Sequence, residues 1–494
     1  MRPRFVILVV LAALCGLLVV AHEESPAQPT AGVAGPLSWP AQSAGSSIQP
    51  LTIVHLNDLH ASYQPRRYGN QSYSPLSLIR GYYVAVRGEN PYTLFVSAGD
   101  ELEKGSLADL LSYGESTIEV YGKLGLHLRA IGNHDFAYSL PGVLRLATEP
   151  GDVTLCANQR YPADPEGWAR PYVEFTIGAL KVGAFSMVGK PWDDANQQFT
   201  GPYYPEIEAR YDYVAVAREI VSRLRNRVDL VLFISHLGRK LDRKIAEAVP
   251  GIDVIVGGHD HRGPKPHEFT ESGTIIVQAK AYGKAVGRLD MTVDLRVREI
   301  IEHQHMLTEV HPRNMMPDIQ LENAIRDALE RYAPHAATKA WQVTADLAPH
   351  VSTRLAAEAA LEVLETDAAL FDVRTARAVI RRGVRSRQDL LDVFRVEFER
   401  AGTNGFSSVH ITRVSGHVLS ALDVASSGRF VYLGPRPVDP TALYTLAIQK
   451  HAARRSKEYF GVGIPRTRMM METWELLARY AEMRAARGLP LDEP

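Results

Sequence analysis

The stretch IDVIVGGHDHR, residues 252–262, runs four apolar positions with one charge into two glycines and then into alternating imidazole and carboxylate. The apolar part reads as a short buried strand, and the polar part as the loop where that strand ends. The same pattern occurs four more times: LTIVHLNDLH (51–60), YTLFVSAGDE (92–101), LRAIGNHDFA (128–137) and VDLVLFISHLG (228–238). Several of these runs are separated by stretches long enough for crossover helices. VAVAREIVSRLR (214–225), with Val214, Val216, Ile220, Val221 and Leu224 on one face, is one such helix. Strands of this kind alternating with helices predict an α/β layered fold, in which ligands gather where strands end and loops begin.

The polar residues at those five strand ends form one constellation: Asp58 and His60; Asp100; Asn133, His134 and Asp135; His236; His259 and His261. On an extended backbone side chains alternate with period two, so Asp58 and His60 fall on one side, as do His259 and His261. Two such pairs with a separate carboxylate and an amide make a mixed nitrogen and oxygen donor set, large enough for two divalent metal ions. That set suits Mn, Zn, Co or Fe better than Ca, which prefers oxygen alone. Gly257 and Gly258 let the chain approach the site without a Cβ, and Asp260, between the imidazoles, is expected to orient the loop and not to bind metal. Each fragment alone is more often a turn than a site. Together and in this order they predict a metal centre.

The fragments Asp58-x-His60, Gly99-Asp100, Gly132-Asn133-His134-Asp135, His236 and Gly258-His259-Asp260-His261 resemble those of the calcineurin-like metallophosphoesterases. AIGNHDF, ISHLG, GGHDHR and QAKAYGKAVG are similar to the 5′-nucleotidase and UDP-sugar hydrolase branch. The resemblance is strong over residues 50–310. It implies a four-layer α/β/β/α sandwich with a second, smaller α+β C-terminal domain. It implies that Asp100 bridges two ions, that Asp58, His60 and His261 complete one site, and that Asn133, His236 and His259 complete the other. His134 would be the catalytic histidine. Its neighbour Asp135 is grouped with it, although on an extended backbone that carboxylate points elsewhere. The implied reaction is hydrolysis of a phosphate ester by attack of a metal-bridging hydroxide, with His134 donating to the developing charge.

The chain departs from the branch at position 137. An Asp commonly stands three residues after the catalytic histidine and supports it; here the residue is Ala137, so another acid must support His134 or its proton transfer is weakened. Sulfate-thioester hydrolases of sulfur oxidation have a Tyr near this place, as Tyr138 is here, which opens a thiosulfate-type ester as an alternative substrate. In the C-terminal half, Arg377 stands where the resemblance implies a substrate-binding arginine, or else it is a structural arginine in a crowded basic segment. FDVRT replaces the branch's Asn-Gly-Gly run, and the nucleobase-stacking stretch is replaced by YTLAIQKHAARRSKEYFGVG (444–463), whose Tyr459 and Phe460 read as a stacking pair or as core.

The remainder sets boundaries. Arg2 and Arg4 precede an apolar run from Phe5 to Val20 and then Ala21, which reads as a signal peptide over 1–21, an uncleaved anchor being the alternative. Residues 22–50, rich in Ala, Ser, Pro and Gly, read as a flexible linker. The catalytic domain is placed at 51–312, a connecting helix and natural hinge at 313–336 around PDIQLENAIRDALERYAP (317–334), and the C-terminal domain at 337–494. With 494 residues and a formal net charge of −1, no global field steers the chain to nucleic acid polymers. The membrane is expected to matter only through the N-terminal segment. Beyond Cys15 in that segment only Cys156 remains, so no internal disulfide forms. The expected protein is an exported hydrolase, periplasmic or extracellular, acting on a small phosphorylated molecule. The alternatives are a hydrolase of the sulfur ester and a catalytically inactive binding protein; the sequence leaves the oligomeric state open.

Overall fold

The apolar runs form strands that pair into two facing six-stranded sheets. In the first, Ile48–Leu56 lies between antiparallel Ala285–Asp294 and parallel Thr93–Ser97, followed by Leu128–Ala130 and Val153–Leu155, with Glu299–Glu309 at the far edge. In the second, Leu230–His236 lies between parallel Leu180–Val188 and Val254–Gly257; Ile275–Gln278 continues the parallel set, and Tyr172–Ile177 and Glu268–Phe269 close the two edges. The computed structural model describes residues 37–493 apart from 42–45, 194–197, 200, 262–267, 395, 397–406 and 427. The signal segment and most of the linker read from the sequence lie outside the described residues. Among those described, no helix is long and apolar enough to cross a membrane.

Alternating side chains explain the layering. Leu51, Ile53, Leu94, Val96 and Leu128 of the first sheet meet Val182, Leu232, Ile234 and Val256 of the second in one buried cluster between the sheets. The opposite faces carry helices. Pro75–Glu89, Glu115–Leu124 and Ile319–Tyr332 cover the first sheet through Ile79, Tyr83, Val120, Leu321 and Ile325. Tyr213–Leu224 and Arg239–Ala248 cover the second through Val216, Ile220 and Ile245. This is the α/β/β/α sandwich expected from the sequence.

The helix Ile319–Tyr332, read from the sequence as the connecting helix, packs in the outer layer. Leu321, Ile325 and Ala328 are buried in it, and Glu322 accepts from the Ser74 amide at 2.8 Å and the Ser77 hydroxyl at 2.6 Å. After it comes a five-stranded mixed sheet in the order Phe430–Leu433, Ala368–Asp372, Leu443–Gln449, Val409–Ser415, Arg468–Met471. Helices Pro349–Val363, Arg387–Val393 and Thr473–Ala486 pack on one face, and Gly416–Ala425 on the other. The C-terminal domain is thus α+β, as expected. Leu107 and Ala108, from the catalytic sandwich, belong to its apolar cluster.

Leu232 is fully buried between the two sheets. Leu232→Ala should lower unfolding stability by about 2–5 kcal/mol, read as a shift of the urea midpoint; a loss below about 1 kcal/mol would contradict close packing there.

Candidate metal centre

The parallel strands of both sheets end on one side. The residues just beyond Leu56, Ser97, Ala130, His236 and Gly257 meet there. Asp58, His60, Asp100 and His261 place one donor atom each within 4.8 Å of one another, a group that could hold a metal ion. His60 Nε2 is 3.1 Å from His261 Nε2 and 3.6 Å from Asp100 Oδ2, and His261 Nε2 is 3.4 Å from Asp58 Oδ1. On the other side of Asp100 a second group gathers. His236 Nε2 lies 3.2 Å from Asp100 Oδ2 and 3.1 Å from Asn133 Oδ1, and His259 Nδ1 lies 2.8 Å from the same amide oxygen. All seven residues named as ligands from the sequence are therefore in one place.

The local backbone differs from the extended pairs expected. The first strand ends at Leu56, and Asp58, His60 and Ala61 have φ of 52°, 49° and 51°. Asp100, His259 and His261 are also left-handed, so five of the seven residues sit in a region that non-glycine residues rarely occupy. The two-residue spacing works because tight loops, not pleated strands, turn both side chains inward. Gly258 is not left-handed and is needed for close approach: a Cβ there would lie 2.9 Å from Ala98 O and 3.2 Å from His236 Nδ1. Gly132 is tighter still, since a Cβ there would overlap Asp100 Oδ1.

The donor atoms are aimed by a surrounding layer. His236 Nδ1 donates to Ala98 O at 2.6 Å and His60 Nδ1 to Leu102 O at 3.4 Å, which leaves each Nε2 facing Asp100. Asp58 is held by the Asn57 side-chain amide and by the His259 amide at 3.0 Å. The Tyr282 ring lies against both His60 and His261, with centroids 5.2 Å away in each case. Asp260, between the two imidazoles, accepts from the Arg239 amide at 3.2 Å and the Gln278 amide group at 3.1 Å, the loop-orienting part expected of it.

The electrostatics favour cations. Asp100 Oδ2 is buried and accepts no hydrogen bond. Burial would raise the Asp100 carboxyl, but His236 and the neighbouring imidazoles hold it well below the usual range. Burial likewise lowers His236, yet the Asp100 carboxylate outweighs it and raises the imidazole to about 10. His60, by contrast, is driven well below its ordinary value by burial and by Lys104, and His259 falls to about 4 through burial and the charge of His236. A buried carboxylate with one oxygen unsatisfied, beside imidazoles of which His60 and His259 are held neutral, is a fitting cradle for divalent metal.

His134 stands beside this cage, its ring 4.9 Å from that of His60. Its amide donates to Asp100 Oδ1 at 2.8 Å. Its Nδ1 donates to the Glu103 carboxylate, and its Nε2 lies 3.0 Å from Lys104 Nζ. Glu103 is thus the acid beside the imidazole that Ala137 does not supply. Burial and Lys104 lower His134, but Glu103 and Asp100 prevail and the net shift is upward. Neither Glu103 nor Lys104 is evident in the sequence, because both are left-handed residues, with φ of 70° and 76°, in a loop whose path no periodicity fixes. Tyr138 donates to Asp109 at 2.6 Å, and Asp109 in turn accepts from the Glu103 amide at 2.9 Å. Burial raises that Asp109 carboxyl to about 6.

Asp135, grouped with His134 from the sequence, is engaged elsewhere. Its two oxygens accept from the amides of Glu101 at 2.7 Å, Leu102 at 3.1 Å, Gly132 at 2.7 Å and Asp100 at 3.2 Å. It ties the Asp100 loop to the Gly132 loop and leaves no oxygen for His134. Arg377 lies in the C-terminal domain, exposed, on the segment after Ala368–Asp372, with its amide donating to Val393 O at 2.8 Å. Of the suggested stacking pair, Phe460 is buried in the C-terminal core, while Arg429 and Arg455 approach the Tyr459 ring centroid to 4.1 and 4.9 Å. Asp135→Asn turns an amide nitrogen toward backbone N–H groups and should cost about 2–3 kcal/mol in thermal or urea unfolding; unchanged stability would contradict the tie.

Residues 51–263 match the family model for calcineurin-like phosphoesterases. An apyrase of Aedes aegypti is 27% identical over 52% of this chain and 51% of its own length. The chain spans about half the length of the curated relatives it matches. A 5′-nucleotidase precursor from Thermus thermophilus superposes with a TM-score of 0.66 at 20% identity, covering 88% of this chain and 96% of that one. The sulfate thiohydrolase of the same organism gives 0.62 at 18% identity, covering 88% and 94%. These structures share the fold across both the sandwich and the C-terminal domain. With its two facing sheets, its convergent strand ends and its ordered Asp, Asn and His fragments, the segment 51–263 is similar to the calcineurin-like phosphoesterases whose family model it matches.

Proposed function

We propose that this chain is an exported metal-dependent hydrolase of phosphate esters, acting on nucleotides or related small phosphorylated molecules. The observation that carries the proposal is the cage around Asp100, whose unsatisfied oxygen faces imidazoles on both sides. Asp58, His60 and His261 with Asp100 would hold one divalent ion, and Asn133, His236 and His259 with Asp100 the other. A metal pair held by these residues would supply polarisation of a phosphoryl group and activation of water for in-line displacement. The chain's own groups do the rest. Glu103 keeps the proton on His134 Nδ1, so that Nε2 is the working atom. Lys104 brings a positive charge to the same point, where negative charge develops on the departing oxygen. Asp135 keeps the two loops in register, so that Asp100 and Asn133 stay in reach of one another.

The relatives named apyrase and 5′-nucleotidase support a phosphate ester as substrate. The carboxylate beside His134 removes the main ground for preferring a sulfur ester, since the imidazole has a partner without Asp at 137. The leaving-group side differs from a plain nucleobase platform, because arginines already approach the Tyr459 ring. Export rests on the basic and apolar start of residues 1–21, and N-terminal sequencing of the secreted chain should begin after Ala21.

Mn-loaded protein should hydrolyse an aryl phosphate and lose that activity on chelation. His236→Ala should abolish turnover, and Glu103→Gln should lower kcat by about ten- to hundredfold. No turnover with aryl phosphate, nucleoside monophosphates or sugar nucleotides would overturn the proposal.

A further inference from the structure

The loop that carries Glu103 and Lys104 is hydrogen-bonded from the C-terminal domain by the Gln388 side chain, next to the apolar packing of Leu107 and Ala108. Gln388, on the helix Arg387–Val393, is buried, and its carboxamide is fully used. Its Oε1 accepts from the Leu107 amide at 2.8 Å and from Gln64 Nε2 at 3.0 Å. Its Nε2 donates to Gly105 O at 2.9 Å and to Asp392 Oδ1 at 2.9 Å. A two-point bond to the backbone of Gly105 and Leu107 fixes both the position and the twist of that segment, which a single contact would not. The helix itself is fixed by a capping box between Ser386 and Asp389, and the Gln388 amide donates to Ala336 O at 3.1 Å.

On its other side the same loop abuts the metal cage. A Cβ at Gly105 would overlap His60 O, so the chain passes directly over the Asp58–Ala61 turn with no room to shift. Glu103 and Lys104, the two residues before it, are left-handed and unable to hold that conformation by local preference. The loop is therefore pinned between the His60 turn and Gln388, and Glu103 reaches His134 from that pinned segment.

We propose that Gln388 is a positioning residue for the reaction: through Gly105 and Leu107 it fixes the Glu103–Lys104 pair against His134, so that the C-terminal domain sets the catalytic geometry as well as any contact with the leaving group. The proposal rests on the role given to His134 above. It implies that even a substrate too small to touch the C-terminal domain feels a change at Gln388.

The test uses the full Mn-loaded chain with para-nitrophenyl phosphate, together with hydrogen exchange and metal content. Gln388→Ala should lower kcat by about tenfold with KM and bound metal unchanged, as expected for misplacement of a supporting group. It should also raise amide exchange at Leu107. On a Glu103→Gln background the same change should cost less than about twofold, because the two act through one imidazole. Gln388→Met keeps the volume and loses all four hydrogen bonds, and should lower kcat as Gln388→Ala does; it serves if the alanine variant does not fold. Losses that multiply in the double variant, a change confined to KM, or unaltered exchange at Leu107 would each overturn the proposal. Failure of the wild type to hydrolyse any phosphate ester would instead refute the hydrolase reading, while the exchange result would still decide whether Gln388 clamps the loop.

Discussion

A single buried carboxylate organises the molecule's working end. Asp100 stands where the first sheet stops, with one oxygen bound to the His134 amide and the other facing His60 on one side and His236 on the other. Taking a carboxylate out of water costs several kcal/mol unless positive charge meets it, and the surrounding layer is built to meet that demand. The imidazoles are oriented by the carbonyls of Ala98 and Leu102. The loops are tied by Asp135, and the approach of neighbouring backbones is made possible by Gly132 and Gly258. Remove the need for cations at Asp100 and the crowding of left-handed residues around it has no physical reason.

The strain is concentrated and not spread. Asp58, His60, Asp100, His259 and His261 all have positive φ, and so do Glu103, Lys104 and Tyr282 beside them. Such conformations survive only where the surroundings over-determine them. The rigid sheets beneath supply that, since the strands that lead into these loops are buried where they meet the site. Fold and site are thus one problem: the sandwich core fixes the strand ends, and the strand ends fix the donors.

Much of this was legible in the chain itself. Buried strands show as apolar runs, and polar residues that end such runs are conspicuous, so the polar constellation and the layered architecture could be read directly, while the choice of seven donors within it came from the resemblance. What could not be read depended on loop paths. The inward turn of Asp58 and His60 follows from left-handed backbone and not from pleating, the two carboxylate oxygens of Asp135 are spent on amides, and Glu103 reaches His134 from a segment with no periodic signal. The amphipathic face of the helix Ile319–Tyr332 says only that it packs, not on what; Glu322 and Leu321 bind it to the first sheet's outer layer. Long-range pairs such as Gln388 with Gly105 and Leu107 join positions far apart in sequence and leave no local trace.

The most direct measurement is anomalous diffraction from crystals soaked in Mn, recorded at the manganese edge. Two peaks flanking the Asp100 carboxylate, one among Asp58, His60 and His261 and the other among Asn133, His236 and His259, are the expected result. A cage without anomalous density at saturating Mn, or a lone peak remote from Asp100, would contradict the account.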